Sequence, residues 1–136
     1  MILQVRHAMK QKPPIIDYES TVIEAARKLI QTGYDIIIVM EGSEIKGVVT
    51  VQKLLYYTYT QGFRPKQVPI SEITDTEILL VRPSTSLEET LNIMIETKQN
   101  TLPVVDNKLL GTINIIDLLK TQPQTKPIKN LHVLQV

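Results

Sequence analysis

Polar residues able to carry chemistry stand where two apolar runs give way to helical patterns. The clearer pair is Asn114 and, three residues later, Asp117. It follows Gly111-Thr112-Ile113 and leads into Ile115-Ile116-Asp117-Leu118-Leu119. The earlier pair is Thr50 and Lys53, after Gly47-Val48-Val49. An ionised carboxylate only accepts hydrogen bonds, and Asp also caps a helix start without any ligand. Both roles are open for Asp117, and Asn114 also suits a turn at a strand end. No nucleophile–base pair, no paired carboxylates at useful spacing and no phosphate-cradling Gly loop occur. The expected chemistry is binding, and the chain is not expected to be an enzyme. His7 and His132 lack acidic neighbours at ligand spacing, and there is no cysteine. No metal site, disulfide or thiol nucleophile is therefore expected, and no cofactor is implied.

These pairs belong to a repeat. At an offset of 65 residues Val5 meets Ile70, Ile16 meets Val81, Glu24 meets Glu89 and Val39 meets Val104. One extra residue in the earlier turn shifts the offset to 64, so that Gly47 meets Gly111 and Leu54 meets Leu118. Each unit predicts the order β–α–β–β–α. In the first, residues 15–18 are extended and a helix follows. Thr21 with Glu24 predicts a reciprocal capping box. Val22, Ala26, Leu29 and Ile30 predict one buried face, and Gly33 the C-terminal cap. Residues 36–40 read as a strand covered on both faces, Glu41-Gly42-Ser43 as a turn, residues 45–50 as the returning strand and residues 52–60 as a helix.

The second unit repeats this order. Residues 78–81 are extended, Ser86 with Glu89 predicts a second capping box, and Leu87, Leu91, Met94 and Ile95 a buried face. Two apolar runs then flank Asp106-Asn107, a hairpin signal. Gly111 marks a place where a backbone or ligand comes close. The domain reading is repeat 1 over residues 5–61, a linker at 62–69, repeat 2 over 70–120 and a tail at 121–136. Residues 121–129 suggest an extended arm, and residues 131–136 either an added edge strand or a frayed end.

Composition narrows the partners. The 136 residues are 43% hydrophobic and carry a net charge of +1. That leaves no global field for nucleic acid or an anionic membrane, and no basic helix suggests nucleic acid. No run approaches the ~18 apolar residues of a membrane span, and the default expectation is a cytoplasmic protein. Neither unit would build much core alone, which is the physical reason to keep both.

The run Leu102-Pro103-Val104-Val105-Asp106, followed by Gly111-Thr112-Ile113-Asn114-Ile115-Ile116-Asp117, resembles the most specific stretch of a CBS domain. With the repeat, residues 5–120 resemble a tandem CBS pair, or Bateman module. The resemblance implies an α/β fold of the α+β kind. Two β-α-β-β-α repeats would pack through their small sheets with pseudo-two-fold symmetry. It implies a regulatory module, here reading as a stand-alone version, that binds an adenosine-containing ligand such as AMP, ADP, ATP or S-adenosylmethionine. A homodimer paired through the Leu54/Leu55 and Leu118/Leu119 helices is also implied. The competing reading is a scaffold that binds no nucleotide and docks on a protein partner.

By the same resemblance, the second cleft is the better site. Asp117 would accept from ribose hydroxyls, and Asn114 stands where the family has Thr or Ser. Lys98 would contact phosphate, or else lie as a solvated helix end. Leu80, Thr101, Leu102 and Ile113 would line an adenine slot. The first cleft, with Ile36, Ile37, Val49, Thr50 and Lys53, is the weaker site. Lys53 replaces the family's Asp and could pair with a phosphate instead. Tyr56, Tyr57 and Tyr59 fit core or dimer packing better than base stacking.

Overall fold

A computed structural model describes residues 2–62, 68–121 and 132–136. The first half contains β1 (Ile15–Asp17), α1 (Val22–Thr32), β2 (Ile36–Glu41), β3 (Glu44–Thr50) and α2 (Val51–Gln61). The second contains α3 (Leu87–Thr97), β4 (Thr101–Asp106), β5 (Lys108–Asn114) and α4 (Ile115–Leu119). A short 3-10 turn leads each half, at Val5–His7 and Ile70–Glu72. The result is a mixed α/β fold with small sheets, as expected. Residues 63–67 of the expected linker, and residues 122–131 of the expected tail, lie outside the described residues. Residues 132–136 belong to no strand.

Strand β1 runs parallel to β2, and β2 pairs antiparallel with β3. In the second half β4 and β5 form the matching hairpin. The counterpart of β1 there is a single parallel bridge, Val81 to Val104. Both inner strands bury their first four residues in succession. This explains the unbroken apolar runs, because both faces of each strand are covered. Ile37, Val39 and Val49 face the first core. Ile36, Ile38 and Val48 face the other way and pack with Ile78 and Leu109 of the second half. The halves thus meet through their sheets.

The leading segments are exchanged between the halves. Val5, Ala8 and Met9 precede the first half but pack in the second core with Val81, Met94 and Leu102. Val68, Ile70 and Ile73 precede the second half but complete the first core. Each segment then adds one paired residue to the opposite hairpin. Lys10 and Thr112 exchange N–H···O bonds of 2.9 Å in both directions. Asp75 and Val48 do the same at 2.9 and 3.0 Å. The glycines make room for this approach. A Cβ on Gly111 would overlap the Lys10 carbonyl oxygen, and one on Gly47 the Asp75 carbonyl oxygen. The close approach expected at Gly111 is therefore that of a backbone.

The helix faces differ from the expected ones. In α1 the buried residues are Val22, Ala25 and Leu29, while Ile30 is 81% exposed. In α3 they are Thr90 and Met94, while Ile95 is 63% exposed. Ile30 and Ile95 each lie one residue, about 100°, around the helix from the centre of the buried stripe. The capping also differs. Glu24 N–H donates to Thr21 Oγ1 at 3.4 Å, but the hydroxyl donates in turn to the Glu24 carboxylate at 3.3 Å. At α3, Ser86 Oγ accepts from Glu89 N–H at 3.0 Å. The full reciprocal box forms at α4, between Asn114 and Asp117. The second hairpin turns on Asn107 alone, at φ 64°, with Asp106 paired to Lys108. Asn tolerates that left-handed conformation better than most residues.

Candidate functional site

The exchange of leading segments builds two clefts, each walled by both halves. Every cleft has the start of a helix on one side and a leading segment on the other. The turn from helix to strand of the opposite half closes it.

The second cleft holds a cavity of about 570 Å³. Asn114, Ile115 and Ile116 line it from the β5–α4 junction, and Thr32, Gly33, Tyr34 and Asp35 from the α1–β2 turn. Lys10 and Asn100 complete the wall. Apolar and polar groups mixed at this size suit a small ligand. Both ends of the Asn114 side-chain amide are engaged. Its Oδ1 accepts from Ile116 N–H at 2.8 Å, and its Nδ2 donates to Thr101 Oγ1 at 2.7 Å. The Thr101 hydroxyl passes the chain on, donating to Asp35 Oδ1 at 2.6 Å. Asp117 is only 6% exposed. Its Oδ2 accepts from Asn114 N–H at 2.9 Å, and its Oδ1 lies 3.8 Å from Lys10 Nζ. The carboxylate is therefore oriented by the cap and covered by a lysine. Lys10 Nζ also stands 5.8 Å from the centre of the Tyr34 ring, within cation–π range.

The first cleft is smaller and has the opposite polarity. Its main cavity is about 200 Å³, between Ile36, Thr50, Val51 and Gln52 on one side and the turn at Lys98, Gln99 and Asn100 on the other. A recess of about 70 Å³ adjoins it beside Asp75 and Glu77. Thr50 Oγ1 accepts from Lys53 N–H at 3.0 Å and caps α2. Lys53 Nζ pairs with Asp75 Oδ1 at 3.4 Å. Lys53 thus has its counter-ion in the leading segment, and the helix start of this cleft carries a donor where the second carries the Asp117 acceptor.

The residues named from the sequence divide between these places. Asn114 lines the second cavity, and Asp117 lies behind Lys10 beside it. Lys98, expected in the second cleft, lines the first together with Thr50. Thr101 and Leu102 also line openings on the Thr50 side, although the Thr101 hydroxyl bonds to Asn114. The physical reason is the crossing of the halves, because the turn that serves each helix start comes from the other repeat. Ile113, Ile37 and Val49 are buried in the cores and are not among the residues that line the two clefts. Leu80 lines neither cleft and is partly exposed, whereas Ile36 and Thr50 do line the first. Tyr57 packs against the first core, while Tyr56 and Tyr59 are exposed on α2.

Sequence reasoning missed Lys10, Tyr34, Asp35 and Asp75. A signal for two of them was present. Lys10 and Asp75 occupy equivalent positions 65 apart, and their charges oppose those of Asp117 and Lys53. Among the described residues no group of His, Cys, Asp and Glu could hold a metal ion. No described helix is long and apolar enough to cross a membrane.

Comparison with known proteins agrees with this architecture. The CBS domain model matches residues 5–59 and 70–123. The CBS domain-containing protein YhcV of Bacillus subtilis is 32% identical over 119 residues, which is 87% of this chain and 84% of that protein. A crystal structure of a CBS-domain protein from Burkholderia ambifaria superposes with a TM-score of 0.79 at 28% identity, over 88% of this chain and 90% of that one. The crystal structure of CBSX2 in complex with AMP has a TM-score of 0.74 at 24% identity, over 87% of this chain and 94% of that one. The chain belongs to the CBS-domain family and is a tandem pair of these domains, a regulatory module.

Proposed function

We propose that this CBS pair senses an adenosine-containing ligand, a nucleotide such as AMP, ADP or ATP, or else S-adenosylmethionine, in its second cleft. The observation that carries the reading is the pairing of an oriented carboxylate, Asp117, with a cavity of about 570 Å³ beside it. An acceptor-only group held by its own helix cap suits a vicinal diol. The AMP seen in the CBSX2 structure supports the ligand class. Binding would regulate by favouring one conformation or assembly over another, which requires unequal affinity for the two states. The first cleft is the weaker site in this reading, because Lys53 stands where the second cleft has Asp117, and an ammonium cannot accept from a ribose diol.

A thermal-shift panel of these ligands tests the proposal. A ligand that binds only the folded chain at a hundred times its Kd stabilises it by about 2.7 kcal/mol. The expected result is a shift with adenine ligands that disappears in Asp117→Asn. No shift with any of them would overturn it.

A second reading, a scaffold that pairs with itself or a partner and binds no nucleotide, has its own support. Exposed apolar side chains recur at equivalent places in both halves, as Ile30 with Ile95 and Leu55 with Leu119. A helical face with this pattern fits a homodimer. Light scattering at high concentration should give twice the chain mass, and a monomer mass would remove the dimer from either reading.

A further inference from the structure

Asp117 is the acceptor on which nucleotide binding would depend, yet the structure shows it occupied. One oxygen caps α4 through Asn114 N–H, and the other faces Lys10 Nζ at 3.8 Å. With Asp117 6% exposed and the Lys10 side chain 54% exposed, the lysine is the movable partner. Its backbone is fixed by the paired bonds to Thr112, so only the flexible stem and ammonium can swing. Among the described residues lining the cavity, Lys10 is the only cation and Asp35 the only carboxylate, with Asp117 just behind.

We propose that Lys10 is a displaceable counter-ion that makes the second cleft select phosphate-bearing nucleosides over neutral ones. This rests on the nucleotide reading given above. In the structure the ammonium faces Asp117 at 3.8 Å. When a ribose diol takes the Asp117 oxygen, the ammonium is released into the cavity it lines. There it neutralises the phosphate, which would otherwise face the carboxylates of Asp35 and Asp117. A neutral nucleoside displaces the lysine and gives it nothing in return, so it binds more weakly. The first cleft has no such device. The equivalent position is Asp75, and its partner is a lysine.

Calorimetric titration of AMP and adenosine, which differ only in the phosphate, separates the possibilities. The unaltered chain, Lys10→Met and Lys10→Arg would be compared at one ionic strength, each first shown to unfold at a similar temperature. Met keeps the apolar stem, and Arg keeps the charge. The unaltered chain and Lys10→Arg should prefer AMP. In Lys10→Met that preference should fall by roughly ten-fold or more, the scale of one charge-assisted hydrogen bond. Adenosine affinity there should hold or rise, because Asp117 no longer has to be freed. An AMP-to-adenosine ratio unchanged in Lys10→Met overturns the counter-ion role and leaves the nucleotide reading standing. Absence of binding by either ligand to all three chains removes the nucleotide reading, and the counter-ion role with it.

Discussion

The two clefts share a backbone plan and carry reversed charges. In the second, the carboxylate comes from the helix start and the lysine from the leading segment, as Asp117 and Lys10. In the first, the lysine comes from the helix start and the carboxylate from the leading segment, as Lys53 and Asp75. Each pair joins a residue of one repeat to a segment that precedes the other. If each leading segment packed on its own repeat, Lys10 would meet Lys53 and Asp75 would meet Asp117. The charges therefore agree with the exchanged arrangement and oppose the unexchanged one. Magnitudes show that they are not its main cause. Part-exposed ion pairs contribute about 0–1 kcal/mol, whereas each exchanged segment also buries apolar side chains such as Val5 or Ile70 and makes several backbone hydrogen bonds to the opposite half. Packing sets the exchange, and the reversal mainly makes the two clefts chemically unequal.

The largest effect should come from the exchanged cores. Ile70→Ala should destabilise the chain by about 2–5 kcal/mol, the range for large-to-small changes at fully buried sites. Urea unfolding would measure it. A change below the scatter of the method would mean that the segment before the second half does not complete the first core. The glycines come next. Gly47→Ala and Gly111→Ala each place a methyl against a leading-segment carbonyl, and overpacking of this kind costs about 1–3 kcal/mol. Similar losses at both sites would show the two exchanges to be equivalent. A silent Gly111→Ala would break the symmetry at Lys10.

How much of this could be read from the sequence follows from which contacts are local. The repeat, both hairpins, the two-faced inner strands and the Asn114–Asp117 junction all rest on spacing within a few residues. Ile30 and Ile95 differ from expectation because a three-turn helix with apolar residues at consecutive positions fixes its buried arc only to within one residue. The sequence points Lys98 to the second cleft because it follows that repeat's own helix, but in space it faces the other repeat. The resemblance places Thr101 along an adenine slot, but its bond to Asp35 spans 66 residues. No local pattern announces such a bond.

Smaller effects sharpen the comparison between equivalent turns. Gly33 ends α1 at φ 73°, and Lys98 ends α3 at φ 59°. A left-handed conformation costs a side-chain-bearing residue about 1–2 kcal/mol. Lys98→Gly should thus raise stability by up to about 1 kcal/mol once the extra chain entropy of glycine is counted. A loss instead would show that the lysine side chain makes contacts that outweigh its strain.

The smallest effect lies in the hairpins. Asp106 pairs with Lys108 across the second, but Glu41 faces Glu44 across the first, with Lys46 at 3.5 and 3.6 Å from the two carboxylates. Glu44 and then Glu41 raise the Lys46 pKa above its ordinary 10.5. A raised lysine pKa gives a contribution that is complete below the ordinary value and lost as pH rises through the folded-state value. Lys46→Met should therefore lower stability slightly at neutral pH, and the difference from the unaltered chain should shrink only above the ordinary lysine range. A difference that vanished near neutral pH would contradict the assignment to Lys46.

The central claim is that one cleft of the pair, the second, is the nucleotide site. Calorimetric titration of AMP into the unaltered chain, Asp117→Asn and Lys53→Ala tests it most directly. Asn at 117 can still accept the cap bond from Asn114, so the variant tests the carboxylate rather than the helix. The account predicts a single site per chain, lost or greatly weakened in Asp117→Asn and retained in Lys53→Ala. Equal binding by both folded variants, or binding lost only in Lys53→Ala, would contradict it.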